Sequence, residues 1–265
     1  MTKIIAITNQ KGGVGKTTTA INLAACCALA ERNTLLIDLD PQANATSGLG
    51  HTAKSAQEST IYDVLIEDRP LAECIATTGL SHLALIPGHN DLISGEVHLH
   101  NMPNKESRLR QALANENRFD IIIIDCPPSL GMLTINALTA SSAALVPVQC
   151  EYFALEGLSA ILGTIETIRT ATNPGLLVLG LVMTMWDQRT NLSKQVVDEV
   201  AGNLPKLLFQ TRIPKNVRLA EASSHGKNIL EYDIASAGAQ AYLSLAKEIL
   251  QRLEHSTDSL PPGPQ

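Results

Sequence analysis

Apolar residues along this 265-residue chain fall in short runs that alternate with longer stretches of helical spacing. Runs of strand length cover Lys3–Thr8, Thr34–Asp38, Leu83–Pro87, Asp120–Asp125, Ala143–Val148, Leu176–Thr184 and Leu207–Ile213. Ile121–Ile124 and Leu177–Leu181 are apolar without alternation, the pattern of strands covered on both faces. The spacing predicts helices at Thr17–Ala30, Ser59–Ile66, Glu106–Asn115, Thr134–Ala140, Glu156–Thr170, Leu192–Gly202, Val217–Ser224 and Ala235–Leu253. Such alternation predicts an α/β fold, a doubly wound and mainly parallel sheet flanked by helices. One domain is expected over residues 1–253, followed by a disordered tail, 254–265, whose composition is rich in Ser and Pro. Ligands of open α/β sheets bind beyond the carboxyl ends of the strands. The polar residues that follow each strand are therefore the candidate chemistry.

Residues 9–18, NQKGGVGKTT, follow the first strand and lead into the first helix. The run Gly-Gly-Val-Gly-Lys-Thr fits the phosphate-loop pattern with one glycine position shifted. Glycines suit it because backbone N–H groups must close around phosphate oxygens, where a side chain would block the approach. The phosphates would lie at a helix N-terminus, where unpaired N–H groups and the helix dipole favour anions. Lys16 would reach the β- and γ-phosphates, and the Thr17 hydroxyl would hold Mg²⁺. The second strand ends in Asp38-Leu39-Asp40, two carboxylates that point the same way in an extended chain. The strand at Ile121–Ile124 ends in Asp125, the arrangement that holds Mg²⁺ through a water. Cys126-Pro127-Pro128 follows and stops the strand.

Charge complicates the picture. The chain nets −6, which on its face argues against nucleic acid. Residues 186–230, however, carry seven basic groups (Arg189, Lys194, Lys206, Arg212, Lys215, Arg218 and Lys227) against four acids, a net of +3 that leaves −9 on the remainder. A local basic patch on an acidic protein suits salt-sensitive contact with phosphate backbones, although ordinary surface charge explains it equally well. The five cysteines form no C-x-x-C pair and read as buried free thiols. No apolar run approaches the ~18–20 residues of a membrane span, and the chain enters its first strand at once, so a cytoplasmic location is expected.

Lys11 is the unusual residue, a second lysine beside the same loop. The octet KGGVGKTT resembles that of the deviant Walker A ATPases. Beyond it, LLIDLDPQANATSGLG (35–50), IIIIDCPPSLGMLTINALTAS (121–141), VPVQCEYFALEGLS (146–159), MTMWDQRTNLSKQV (183–196) and IPKNVRLAEASSHGKNI (213–229) resemble ParA-family partition ATPases of the chromosomal Soj type, over nearly the full length. The resemblance implies an ATP- and Mg²⁺-dependent homodimer in which Lys11 touches the partner's nucleotide. The loop residues Lys11, Gly12, Gly13, Val14, Gly15, Lys16, Thr17 and Thr18 are implied to hold ATP, with Lys11, Lys16 and Asp40 catalytic and Asp40 orienting the attacking water. Asp38 is implied to lie near the Mg²⁺ network with Thr17 and Asp125. Enlarging Gly12 is implied to obstruct the dimer, because two backbones meet there. Pro214 and Asn216 match a loop that contacts adenine. Arg189 and Arg218, with Lys215 beside them, match a surface that binds double-stranded DNA without sequence preference. The family's partner is a ParB-type protein that stimulates a slow hydrolysis, and its location is the nucleoid.

The chain departs from the family where relatives carry proline, at Ser223 and Asn228, which implies a looser loop there. His225 is expected to be structural and Lys227 to lie on the surface. Three alternatives share the phosphate loop. A MinD-type membrane switch needs a basic, bulky amphipathic C-terminus, which Glu254–Gln265 lacks. An iron–sulphur carrier or metabolic ligase is a second, and the carrier needs paired cysteines. A ParA-like ATPase that positions another cargo is the third.

Overall fold

The computed structural model describes residues 2–51, 59–151 and 154–255. Eight strands form one sheet: β1 (Lys3–Ile7), β2 (Thr34–Asp38), β3 (Ala76–Thr77), β4 (Leu83–Ile86), β5 (Ile121–Asp125), β6 (Ala143–Gln149), β7 (Leu177–Trp186) and β8 (Leu208–Pro214). Their spatial order is β3-β4-β2-β5-β1-β6-β7-β8, and every pairing is parallel except β3 with β4. All seven expected strands are present, with ends that shift by a residue or two.

The helices are α1 (Lys16–Leu29), α2 (Asn44–Gly48), α3 (Ile61–Ile66), α4 (Leu92–His100), α5 (Arg108–Leu113), α6 (Met132–Ala140), α7 (Ala154–Ala171), α8 (Asn191–Asn203), α9 (Val217–Ser224), α10 (Ile229–Asp233) and α11 (Ala237–His255). They cover both faces. One core layer joins α3 to α8 to the sheet, and the other joins α1 and α9 to α11. Within β5, Ile122 and Ile124 face the first layer while Ile121 and Ile123 face the second, which is why the run shows no alternation.

Four elements escape the sequence reading: α2, α4, α10 and the two-residue β3. In α4 the sequence carries Gly95, a residue that weakens helices. Here close packing favours it, since a Cβ at Gly95 would lie 3.1 Å from the Tyr62 ring, which would have to shift by a few tenths of an ångström. The loop expected to be loose is pinned instead. Asn228 caps α10 by accepting from the N–H groups of Leu230 and Glu231, and the Ile229 N–H donates to Asn22 of α1 at 2.8 Å. His225 stacks on Tyr232, in line with a structural role. The last helix runs two residues past the expected boundary, to His255, and the expected disorder from 256 onward lies outside the described residues.

Candidate active site

Parallel pairing places three strand ends side by side. Asp125 of β5 stands in register with Ile7 of β1 on one side and Asp38 of β2 on the other. The chain leaves β1 through Thr8 and Asn9, both buried, and enters the glycine-rich loop. Two residues outside the glycine-rich pattern, Asn9 and Thr184, hold that loop. Asn9 donates to the Pro147 carbonyl at 2.7 Å and accepts from the Lys11 N–H at 3.1 Å. Thr184 of β7 donates its hydroxyl to the Val14 carbonyl at 2.8 Å, while the Val14 side chain is buried beneath. Gly13 and Gly15 have φ of +75° and +87°, the left-handed region that side chains disfavour.

Lys16 opens α1, and its ammonium turns back to donate to the Lys11 carbonyl at 2.9 Å. Burial lowers its pKa, opposed by the charges of Asp125 and Asp40. The charges of Lys16, Asp40 and Asp125 act on one another, so the three lie within one electrostatic cluster.

The two register-paired carboxylates differ in their partners. Asp38 is fully buried and satisfied: Oδ2 accepts from the Thr46 N–H at 2.8 Å and hydroxyl at 2.7 Å, and Oδ1 accepts from the Asp40 N–H at 3.2 Å. Thr46 accepts in turn from the Gly88 N–H. Asp38 thus braces the turn from β2 into α2, and burial raises its pKa to about 6 against those hydrogen bonds. Asp125 is equally buried, yet neither carboxylate oxygen accepts a well-formed hydrogen bond among the described residues. Burial first, then the Asp38 charge, hold its pKa well above the usual range, with the nearby Thr17 hydroxyl pulling the other way. An orphaned buried carboxylate beside a threonine hydroxyl fits a hard, oxygen-seeking cation. Mg²⁺ usually binds through one or two carboxylates together with waters and phosphate oxygens, so Asp125 with the Thr17 hydroxyl suits it. Cys126 lies buried behind Asp125, its thiol pKa raised by burial.

At the loop mouth, the Lys11 ammonium pairs with Glu151, just beyond β6. Gly12 beside it has an ordinary φ, and a Cβ there would meet nothing within 4 Å. The single chain therefore gives no reason for glycine at position 12.

The AAA domain family matches residues 2–178. The chromosome partitioning protein ParA of Myxococcus xanthus is 52% identical over 251 residues, spanning 94% of this chain and 88% of that protein. The sporulation initiation inhibitor protein Soj of Bacillus subtilis is 52% identical, spanning 94% of this chain and 98% of its own. The chain belongs to the ParA family. Its fold also matches the crystal structure of a cobyrinic acid a,c-diamide synthase from Mycobacterium smegmatis with bound ADP and magnesium, with a TM-score of 0.84, 36% identity and 97% coverage of each chain.

The remaining ParA-type positions lie at the β7–β8 edge. Pro214 ends β8, and Asn216 caps α9 by accepting from the Arg218 N–H at 2.9 Å. Arg189 and Lys215 line one open groove of 550 Å³ between β7, β8 and α11. Arg218 lies outside the groove lining, on α9, and is tied to Glu221 at 2.9 Å and Asp233 at 3.6 Å. Arg189 donates twice to Asp187, at 2.9 and 2.7 Å. Sequence reasoning missed Asn9, Thr46, Gly88, Glu151 and Thr184. Asn9 carries a local signal, its place directly before the loop, and Thr46 lies eight residues after Asp38; Gly88, Glu151 and Thr184 reach the site from far along the chain. No described helix is long and apolar enough to cross a membrane.

Proposed function

We propose that this ParA-family chain is an ATP-dependent dimerising switch that binds duplex DNA without sequence preference and partitions a chromosome or plasmid. The observation that carries the proposal is Gly12 beside Lys11. Open space and an ordinary φ at Gly12 mean that the chain's own packing does not require glycine, which supports close approach there by the nucleotide or by a second subunit. Lys11 is 38% exposed, so it can leave Glu151 for a partner's nucleotide. The exposed surface position makes that ion pair cheap to break.

In this reading the N–H groups from Gly12 to Thr18 bind the ATP phosphates, and Lys16 leaves the Lys11 carbonyl to contact them. Thr17 and Asp125 hold Mg²⁺, which neutralises phosphate charge when bound. Asp38 supports this arrangement by fixing the turn that carries Asp40, and Asp40 orients the attacking water. Pro214 and Asn216 flank adenine. Dimerisation joins two basic edges, each carrying Arg189, Lys215 and Arg218, and doubling the phosphate contacts raises affinity steeply. A ParB-type partner stimulates hydrolysis, which separates the dimer and frees the DNA. The protein would work in the cytoplasm, on the nucleoid. The higher identity to two partition proteins than to the diamide synthase supports partition over ligase chemistry.

Gel shift on nonspecific duplex tests the switch. Wild type should bind with ATP and not with ADP. Asp40→Ala should stay DNA-bound with ATP, and Arg189→Ala/Arg218→Ala should lose binding. An Asp40→Ala protein that remains monomeric and DNA-free with ATP overturns the assignment of Asp40.

A further inference from the structure

Trp186 is the only tryptophan of the chain, and it closes β7 at the groove that holds Arg189 and Lys215. Arg212, from the edge strand β8, lines the same groove and places its guanidinium over the indole, 5.1 Å from the ring centre. The wall opposite is Ala237 and Ala241 of α11, whose small side chains leave the groove open.

The cations of this edge are not equivalent. Arg189 is neutralised by Asp187, and Arg218 faces two carboxylates, Glu221 and Asp233. A phosphate reaching either arginine meets local acids that repel it. Arg212 and Lys215 form no ion pair among the described residues, and although Asp187 lies within electrostatic reach of Lys215, the groove lining of Asp187, Arg189, Arg212 and Lys215 still nets +2. The cation–π contact does not consume the hydrogen-bonding capacity of Arg212. The aromatic ring occupies the face of the guanidinium, while its five N–H donors lie on the edge in the fork that matches a phosphate. The stack also holds the side chain in place before any ligand arrives.

We infer that Arg212, braced on Trp186, is a phosphate-contacting residue of the duplex-binding groove. The inference rests on the DNA-binding reading above and adds a residue to it. Arg212 with Lys215 supplies the unpaired charge, and Arg189 joins after releasing Asp187.

The test is the affinity of the ATP-bound protein for a fluorescent nonspecific duplex across a salt series. Loss of one phosphate contact lowers the slope of log K against log salt by about 0.9 per subunit. Arg212→Ala should show that drop and weaken binding several-fold, with ATP-dependent dimerisation and DNA-free hydrolysis unchanged. Arg212→Lys should keep the slope and recover only part of the affinity. Emission from Trp186 should change when duplex is added to wild type and should not change in Arg212→Ala at matched saturation. If Arg212→Ala keeps the wild-type slope while Arg189→Ala lowers it, the inference fails and the DNA reading stands. If wild type binds no duplex in any nucleotide state, both fail.

Discussion

Two carboxylates on adjacent strand ends, both fully buried, are unusual residues to find one ~4.8 Å strand spacing apart. Three donors make Asp38 part of the scaffold. Asp125 has no such compensation, and in the ligand-free protein its ionised form is costly. A buried acid with a raised pKa stabilises the fold most below its unfolded value near 4, and that contribution is lost as pH rises through the folded value. For Asp38 the loss runs from about pH 4 to about pH 6, and Asp125 extends it upward. Asp125→Asn removes part of this cost. Its ligand-free melting temperature should exceed that of wild type at pH 8 and converge on it at pH 5, with about 2–4 °C for each kcal/mol recovered. Mg²⁺-ATP should then stabilise wild type and leave the variant almost unmoved. A pH-independent difference between the two melting curves would show that Asp125 carries no such burden. The motif made Asp125 legible from the sequence; its lack of a well-formed hydrogen bond, with only the Thr17 hydroxyl nearby, was not, because burial and partners are set by the packing of separate segments.

Among elements, the phosphate loop depends on β7 as much as on its own glycines. Strand β7 contributes Thr184, whose hydroxyl holds the Val14 carbonyl from 170 residues away. Thr184→Val keeps shape but strands a buried acceptor, a cost of about 1–3 kcal/mol. The fold should survive, and ATP affinity should fall by about tenfold as the loop loses its preset form. Unchanged nucleotide titration and unchanged amide exchange at Gly13 and Gly15 would remove Thr184 from the site. Element positions were largely legible because hydrophobic period and run length are local properties. Among the failures are α4, whose Gly95 lies close against Tyr62, and β3, whose two residues form a strand only by pairing with β4.

For the whole molecule, an acidic chain concentrates positive charge on one edge of its sheet and leaves an unexplained glycine at the mouth of its nucleotide loop. On the proposed reading, both features acquire a purpose when two copies meet. Gly12→Val should bind ATP within a few-fold of wild type, since its side chain enters open space in the single chain. It should fail to dimerise with ATP in light scattering, and it should lose duplex binding with it. A Gly12→Val protein that dimerises normally would leave the glycine without an explanation at this scale.

The sequence by itself determined the α/β class, seven of the strands, the phosphate loop, the carboxylates at strand ends and the family, all properties of local pattern or contiguous motif. Tertiary structure decided how those residues are used. Parallel register placed Asp38 against Asp125, and the turn into α2 satisfied one of them alone. The meeting of β7, β8 and α11 divided the basic residues into those already paired with acids and those still free to meet a phosphate. Charge can be counted along a chain, but its compensation depends on distances in space.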